Sequence, residues 1–242
     1  MGLFNREKKT CGICGKELGM LGKRKLEDGY LCKDCISKLS PFFSERRHST
    51  VAEIEEQLAY REANKSRVTA FHPTRTLGTG MKVILDEDGG TFIVTRSRHW
   101  EDENPDVIDF SQVTGARVDV DERRDEIMRE RSDGTRESYY PPRYEVHYEV
   151  DVLINVDSPY FDEIKIDIDS GTVDEHSQGA FQNAERTARE ICDALTNARQ
   201  ATRDAIAAAN APKTAVTCPH CRATTIPDAS GRCEYCGGAI AG

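Results

Sequence analysis

The sequence predicts an α+β protein with a small cysteine-rich module at each end. Three observations predict it: paired Cys-x-x-Cys motifs near both termini, alternating apolar and polar residues within 67–176, and a long amphipathic helical pattern after them. Apolar residues at every second position indicate strands, and apolar residues three or four positions apart indicate a helix. We therefore expect an antiparallel β-domain followed by one long helix, between two small modules.

Eight of the nine cysteines form four Cys-x-x-Cys pairs, two at each end. Such pairs are typical of zinc sites, and a tetrahedral site closed by four thiolates leaves no position for water or substrate. The sequence therefore predicts two structural zinc ions as its only cofactors, with no catalytic metal. The predicted ligands are Cys11, Cys14, Cys32 and Cys35 at the first site, and Cys218, Cys221, Cys233 and Cys236 at the second.

The alternative for these cysteines is a redox-active or disulfide-bonded state. The N-terminus lacks the apolar segment of a signal peptide, so we expect a cytoplasmic protein whose thiols stay reduced. His220 lies between two ligands, where its side chain should point outward, and it is predicted not to bind metal. Cys192 falls on the apolar stripe of the long helix and is predicted to be a small buried hydrophobe.

Residues 1–45 are predicted to form the first finger. The segment Cys11–Gly15 is typical of a zinc knuckle, Leu26–Leu31 predicts two strands around an Asp-Gly turn, and Asp34–Leu39 predicts a helix. This order of elements resembles a treble-clef zinc finger. Residues 46–66 are predicted to be a connecting helix, which begins with a capping box of Thr50 and Glu53.

Residues 67–210 are predicted to form the β-domain and its helix. Strands are expected over 81–85, 91–95, 113–120 and 144–156 and around 164–168, and the helix over about 179–210. The charged segment 121–143 is expected to be an exposed loop or an extended hairpin. Residues 211–242, with eleven residues between their two cysteine pairs, are predicted to form a small zinc ribbon.

The segments Cys11–Leu18 and Lys25–Cys35, with Asp109–Gly115 and Asp157–Ile164, resemble a bacterial family of unknown function. In that family a treble-clef finger is fused to a pleckstrin-homology-like domain, and the resemblance covers about residues 10–210. It implies this architecture for the chain. The ribbon resembles an addition found in many unrelated bacterial proteins. The family has no assigned activity, so the resemblance implies none here.

The net charge of −9 is unevenly distributed. Residues 1–45 carry a net +3 and residues 210–242 a net +1, which leaves −13 in between. Such an acidic body repels phosphate backbones and anionic lipid surfaces. Only the basic run Lys23–Lys25, with Arg6, Lys8 and Lys9, opposes that trend. The chain has no apolar run long enough for a membrane span.

An enzyme needs a nucleophile or general base with an orienting partner in a pocket. The histidines outside the ribbon are scattered singly, at His48, His72, His99, His147 and His176. The acidic turn Asp86–Asp88 is ordinary turn chemistry, and Trp100 is expected to pack on the sheet rather than to mark an exposed contact. We therefore expect a non-enzymatic interaction or adaptor protein with a protein partner, which uses its β-domain and fingers. The alternative is nucleic-acid binding through the zinc fingers, which the acidic body disfavours.

Overall fold

The computed structural model describes residues 9–19, 22–173, 178–210, 215–228 and 230–240 of the chain. The chain divides into two compact units, Met1–Gln200 and Ala201–Gly242. The fold class is α+β, as predicted, with antiparallel sheets, a long C-terminal helix and a four-cysteine cluster near each end. None of the helices in these residues combines the length and apolarity that a bilayer span requires.

The N-terminal module contains two short hairpins and a one-turn helix. These are β1 (Lys9–Thr10) with β2 (Glu17–Leu18), β3 (Arg24–Lys25) with β4 (Tyr30–Leu31), and α1 (Lys33–Ile36). Leu26 lies in the turn of the second hairpin rather than in a strand, and its buried side chain joins Leu31, Leu39 and three of the cysteines in a small core. Helix α1 ends at Ile36, three residues earlier than the sequence predicts.

Helix α2 (Val51–Ala70) links this module to the β-domain. The predicted capping box is present, because Thr50 Oγ1 accepts from the backbone N–H of Glu53 and the Glu53 carboxylate accepts from the backbone N–H of Thr50. The helix begins at Val51 and continues four residues beyond the predicted end at residue 66. Ile54 belongs to the core of the first module, whereas Val68 belongs to a separate cluster with Trp100. One rigid helix therefore contributes to two cores.

The β-domain consists of two antiparallel sheets. The first has four strands in the order β5 (Arg75–Leu77), β6 (Lys82–Asp86), β7 (Thr91–Thr95) and β8 (Ile108–Asp109). The second has three strands, β9 (Val113–Glu130), β10 (Arg136–Val156) and β11 (Glu163–Val173), with β10 in the centre. Residues from both sheets share the main hydrophobic core, which includes Phe92 and Ile154.

The long hairpin of β9 and β10 extends beyond the third strand. Strand β11 pairs with β10 only from Asn155 to Val146, while β9 and β10 stay paired out to Glu130 and Arg136. The segment 121–143 is therefore the extended hairpin that the sequence allowed. We call residues 125–145 the arm, since there the two strands pair only with each other.

Helix α3 (Gln178–Asn210) follows the second sheet. Within the first unit its buried residues, among them Ala188, Ile191 and Leu195, join the main core, and Phe181 packs on Tyr148 with ring centroids 4.6 Å apart. The second unit contains the end of this helix and one hairpin, β12 (Val216–Thr217) with β13 (Thr224–Thr225).

Candidate metal centres

The first cysteine cluster is held by a turn and by a helix N-terminus. Cys11 and Cys14 lie in the turn after β1, where the N–H of Gly15 donates to the carbonyl of Cys11 at 2.9 Å and Gly15 adopts a φ of 69°. Cys32 is the N-cap of α1, and its Sγ accepts from the backbone N–H of Cys35 at 3.3 Å. The sulfurs of all four residues lie within 4.8 Å of one another.

The second cluster repeats the turn of the first in both of its halves. The N–H of Arg222 donates to the carbonyl of Cys218 at 2.9 Å, and that of Gly237 to the carbonyl of Cys233 at 2.8 Å. Both residues that follow the turn have positive φ, 63° for Arg222 and 69° for Gly237. The four sulfurs of Cys218, Cys221, Cys233 and Cys236 again lie within 4.8 Å of one another.

The spacing of the sulfurs fits a tetrahedral metal ion and not a disulfide. The Sγ atoms of Cys14 and Cys32 are 3.7 Å apart, and those of Cys218 and Cys236 are 3.6 Å apart. A metal with ligands at about 2.3 Å in a tetrahedron sets its sulfurs about 3.8 Å apart, whereas a disulfide needs about 2.05 Å. Each cluster could therefore hold one metal ion.

The electrostatics of the clusters also favour a cation. Burial opposes ionisation of Cys11, but hydrogen bonds from the backbone N–H groups of Cys14 and Cys32 outweigh it and lower the pKa of this thiol to about 6. Burial instead raises the pKa of the Cys35 thiol. In the ribbon, the backbone N–H of Cys221 lowers the pKa of Cys218 to about 6. Four thiolates this close together would repel one another, and a positive ion between them would offset that repulsion.

The comparisons with known proteins bear on the first module. Residues 9–57 match the model of a family described as a domain of unknown function (DUF4428). The match includes the first four cysteines and the start of α2, about a fifth of the chain. Neither the curated proteins nor the solved structures contain a match to this chain.

The other residues considered from the sequence lie apart from the two clusters. His220 is not among the metal-ligating atoms of the second cluster, although its backbone N–H donates to Cys218 Sγ at 3.4 Å. Cys192 is half-buried and packs against the main core. Trp100 is buried in a cluster with Ile84 of β6 and Ile93 of β7, so the prediction that it packs on the sheet is confirmed. It also packs edge-on against Phe71.

The acidic turn after β6 stabilises the local backbone through the carboxylate of Asp86. The Asp86 carboxylate accepts from the backbone N–H groups of His72 and Gly89, at 2.9 and 2.7 Å. His147 lies on β10 within 4 Å of the carboxylates of Asp125 and Glu145, on the solvent side of the strand. His176, Arg6 and Lys8 lie outside the described residues.

Sequence reasoning missed a buried polar junction beside the first module. Arg61 and Asn64 on α2 are buried, and both contact the loop before β8. The Asn64 amide donates to the carbonyl of Pro105 at 2.7 Å and accepts from the backbone N–H of Val107 at 3.1 Å. Polar residues on a helix usually indicate its solvent face, so the pattern gave no indication of this contact.

Proposed function

We propose that the two clusters hold structural zinc ions and that the chain is a non-enzymatic interaction protein. Cys11, Cys14, Cys32 and Cys35 would bind one ion, and Cys218, Cys221, Cys233 and Cys236 the other. A bound zinc would supply folding free energy to modules too small for a large core. A site closed by four thiolates supports a structural role rather than catalysis. The proposed location is the cytoplasm, because its reducing environment would keep the thiols free to bind metal.

The proposed β-domain is pleckstrin-homology-like. Two antiparallel sheets, of four and three strands, followed by one long helix support this assignment. The domain would serve as a scaffold for binding rather than as a source of catalytic groups. The proposed partner is a protein, and the arm is its proposed contact surface.

The observation that carries the proposal is the exposure of large side chains on the arm. Tyr140 is fully exposed, and Ile127, Met128 and Tyr144 are each about half exposed. Tyr144 and Val150 lie on the same face of β10, and Val150 is buried there. Phe181 of α3 contacts this face at Tyr148. Tyr144 lies farther out on the strand, beyond that contact, and is exposed. Exposed tyrosine and methionine side chains are enriched in protein interfaces.

Arginines and an open strand edge support the same surface. The Arg143 guanidinium lies 4.7 Å from the ring centre of Tyr139, while Arg129 and Arg131 both pair with Glu137. Tyrosine and arginine are the residues most often found in interface hot spots. Strand β9 is the outer strand of its sheet, and an unpaired edge can accept a further strand from a partner.

The test is affinity capture from a lysate of the source cells, with and without nuclease, read by mass spectrometry. The arm variant carries Tyr140→Ser and Tyr144→Ser. The matched control carries Tyr235→Ser, which removes an exposed tyrosine from the ribbon. We expect a defined protein that survives nuclease and is captured by the native chain and the control but not by the arm variant.

Two results would contradict the proposal. One is a set of captured proteins that is identical for the native chain and the arm variant. The other is turnover of a substrate by the purified protein that depends on a β-domain side chain. Nucleic-acid binding, the alternative from the sequence, would use the zinc fingers and so would be unchanged by the arm variant.

A further inference from the structure

Six cations lie on or beside the second hairpin of the first finger: Lys23, Arg24 and Lys25 belong to it, Lys9 lies on β1, and Arg46 and Arg47 lie in the helical turn Glu45–His48. They form two groups, which we call together the basic cluster: Lys9, Lys23 and Lys25 around the ring of Tyr30, and Arg24, Arg46 and Arg47. Lys25 and Tyr30 face each other in the register of β3 and β4, and Arg24, the neighbour of Lys25, alternates to the other side of the strand. The hairpin thus carries positive charge on both sides.

Tyr30 organises the first group. The Nζ of Lys9 donates to the Tyr30 hydroxyl at 2.7 Å and lies 4.3 Å from the ring centre, and the Nζ of Lys23 lies 5.9 Å from the same centre. The ring of Tyr30 therefore holds the ammonium groups of Lys9 and Lys23 close together.

Arg46 organises the second group. Its Nη1 donates to the backbone carbonyl of Lys25 at 2.6 Å, which fixes the guanidinium beside β3. Burial, and then the charges of Arg47 and Arg24, lower the pKa of Arg46. Like charges held this close repel one another, and a bound anion would relieve that repulsion.

The basic cluster lacks partners of opposite charge. Within the described part of the chain, none of its six side chains forms an ion pair with a carboxylate, whereas Lys16, Arg67 and Arg75 each do. The nearby carboxylate of Asp28 is occupied, since it accepts from the backbone N–H of Val51 at 2.8 Å. In a chain of net charge −9, this group of six cations is a local positive surface that an anionic ligand would neutralise.

We propose that the basic cluster binds the phosphate backbone of a nucleic acid. Neutralisation of phosphates by lysine and arginine is the main source of affinity in such complexes. An anionic membrane fits less well, because none of the exposed large apolar side chains of the described residues lies in this finger to enter a bilayer.

The experiment measures binding of the full, zinc-loaded chain to labelled single-stranded DNA, single-stranded RNA and duplex DNA, by fluorescence anisotropy over a series of salt concentrations. For a single strand we expect a slope of log K against log salt of about −0.7 per neutralised phosphate, hence about −2 to −4 for three to six contacts. The variant Lys23→Glu/Lys25→Glu should bind at least about tenfold more weakly, with a slope shallower by about 1 to 2.

The matched control is Arg96→Glu/Arg98→Glu. These two arginines are exposed, equally spaced in sequence and outside the finger, and they make the same change in net charge. The control should bind like the native chain. If the glutamates disturb folding, Lys23→Gln/Lys25→Gln removes the same two positive charges without adding negative ones. The metal content of each protein is measured to show that the finger is intact.

Several outcomes would overturn the proposal. Failure of all three nucleic acids to bind at low salt would do so, as would equal affinity of the native chain and both lysine variants. Sedimentation with phosphatidylserine vesicles that depends on Lys23 and Lys25, without nucleic-acid binding, would assign the cluster to a membrane instead. Because the arm is untouched by these substitutions, the result is independent of whether the arm binds a protein.

Discussion

The Nη1 of Arg61 donates to Oδ1 of Asp106 across 2.6 Å, and both side chains are buried. The second carboxylate oxygen of Asp106 accepts from the hydroxyl of Ser40 at 2.8 Å. Arg61 lies on the connecting helix, Ser40 lies near the end of the finger, and Asp106 precedes β8. These three parts of the chain therefore meet at a single carboxylate, and the first finger is docked on the β-domain.

Asp106→Ala should destabilise the first unit strongly. The substitution leaves the Arg61 guanidinium buried without its counter-charge, and removal of one partner from a buried ion pair costs about 3–5 kcal/mol. The measurement is the free energy of unfolding in urea. Because the carboxylate joins the finger to the β-domain, signals from both parts should move to lower urea.

The control for this prediction is Arg67→Ala. Arg67 pairs with Asp109 at 2.8 Å, but both side chains are more than a third exposed. A pair screened by solvent contributes about 1 kcal/mol or less. Equal losses from Asp106→Ala and Arg67→Ala would show that the buried pair does not hold the parts together.

Cys14→Ser should lower the bound metal from two ions to one per chain. Without its metal the core around Leu26 and Ile54 would loosen. Helix α2 carries Ile54 of this core and also Val68 of the separate cluster with Trp100. We therefore expect faster amide hydrogen exchange over the whole of Val51–Ala70, read by mass spectrometry, in addition to the finger itself.

Cys192→Ser is the matched control, because this cysteine packs on the main core and belongs to neither cluster. It should keep two ions and native exchange in α2. The expectation for Cys14→Ser is wrong if two ions remain, or if exchange quickens in the finger alone. The second of these results would mean that the module is appended rather than docked.

Much of the architecture was predictable because it depends on short motifs within one segment of the chain. The knuckles need only Cys-x-x-Cys and a residue that tolerates positive φ, such as Gly15, and the capping box of α2 needs only Thr50 and Glu53. Strand β7 has the predicted limits, Thr91–Thr95, because its apolar run is bounded by a turn. The eight cysteines come together in two groups for the same local reason.

The parts that escaped prediction depend on distant partners. Arg61 and Asn64 resemble a solvent-facing stripe, but they contact the segment 104–107, forty or more residues away in sequence, and Arg61 also contacts Lys38. In the outer halves of β9 and β10, charged residues interrupt the alternation of apolar and polar residues that predicts a strand. These segments form strands because they pair with each other. Burial and pairing of this kind cannot be seen in one segment alone.

Lys9→Met should raise the pKa of Tyr30. In the native chain the hydrogen bond from Lys9 stabilises the phenolate, so the pKa lies below its ordinary value. Loss of that donor and its charge makes deprotonation require a higher pH. The measurement is an NMR titration of ring-labelled tyrosine, with Lys33→Met on α1 as the control. A Tyr30 titration unchanged by Lys9→Met would show that the lysine does not hold this ring, and would weaken the account of the basic cluster.

Replacement of residues 127–143 by Asn-Gly should leave the fold intact. Glu126 and Tyr144 face each other in the register of β9 and β10, so a two-residue turn can join them without a shift of the strands. The removed residues are exposed or half-buried, and the buried part of β10 begins at Val150. The free energy of unfolding should therefore change by no more than about 1 kcal/mol.

Ile154→Ala, also on β10, is the positive control. It opens a cavity in the main core and should lower the free energy of unfolding by about 2–5 kcal/mol. Capture of the protein partner should disappear with the shortened arm and persist in Ile154→Ala below its unfolding temperature. A shortened chain that unfolds would show that the arm stabilises the sheet. A shortened chain that folds and still captures the partner would move the contact surface elsewhere on the molecule, because the exposed side chains of the arm would then be dispensable for binding.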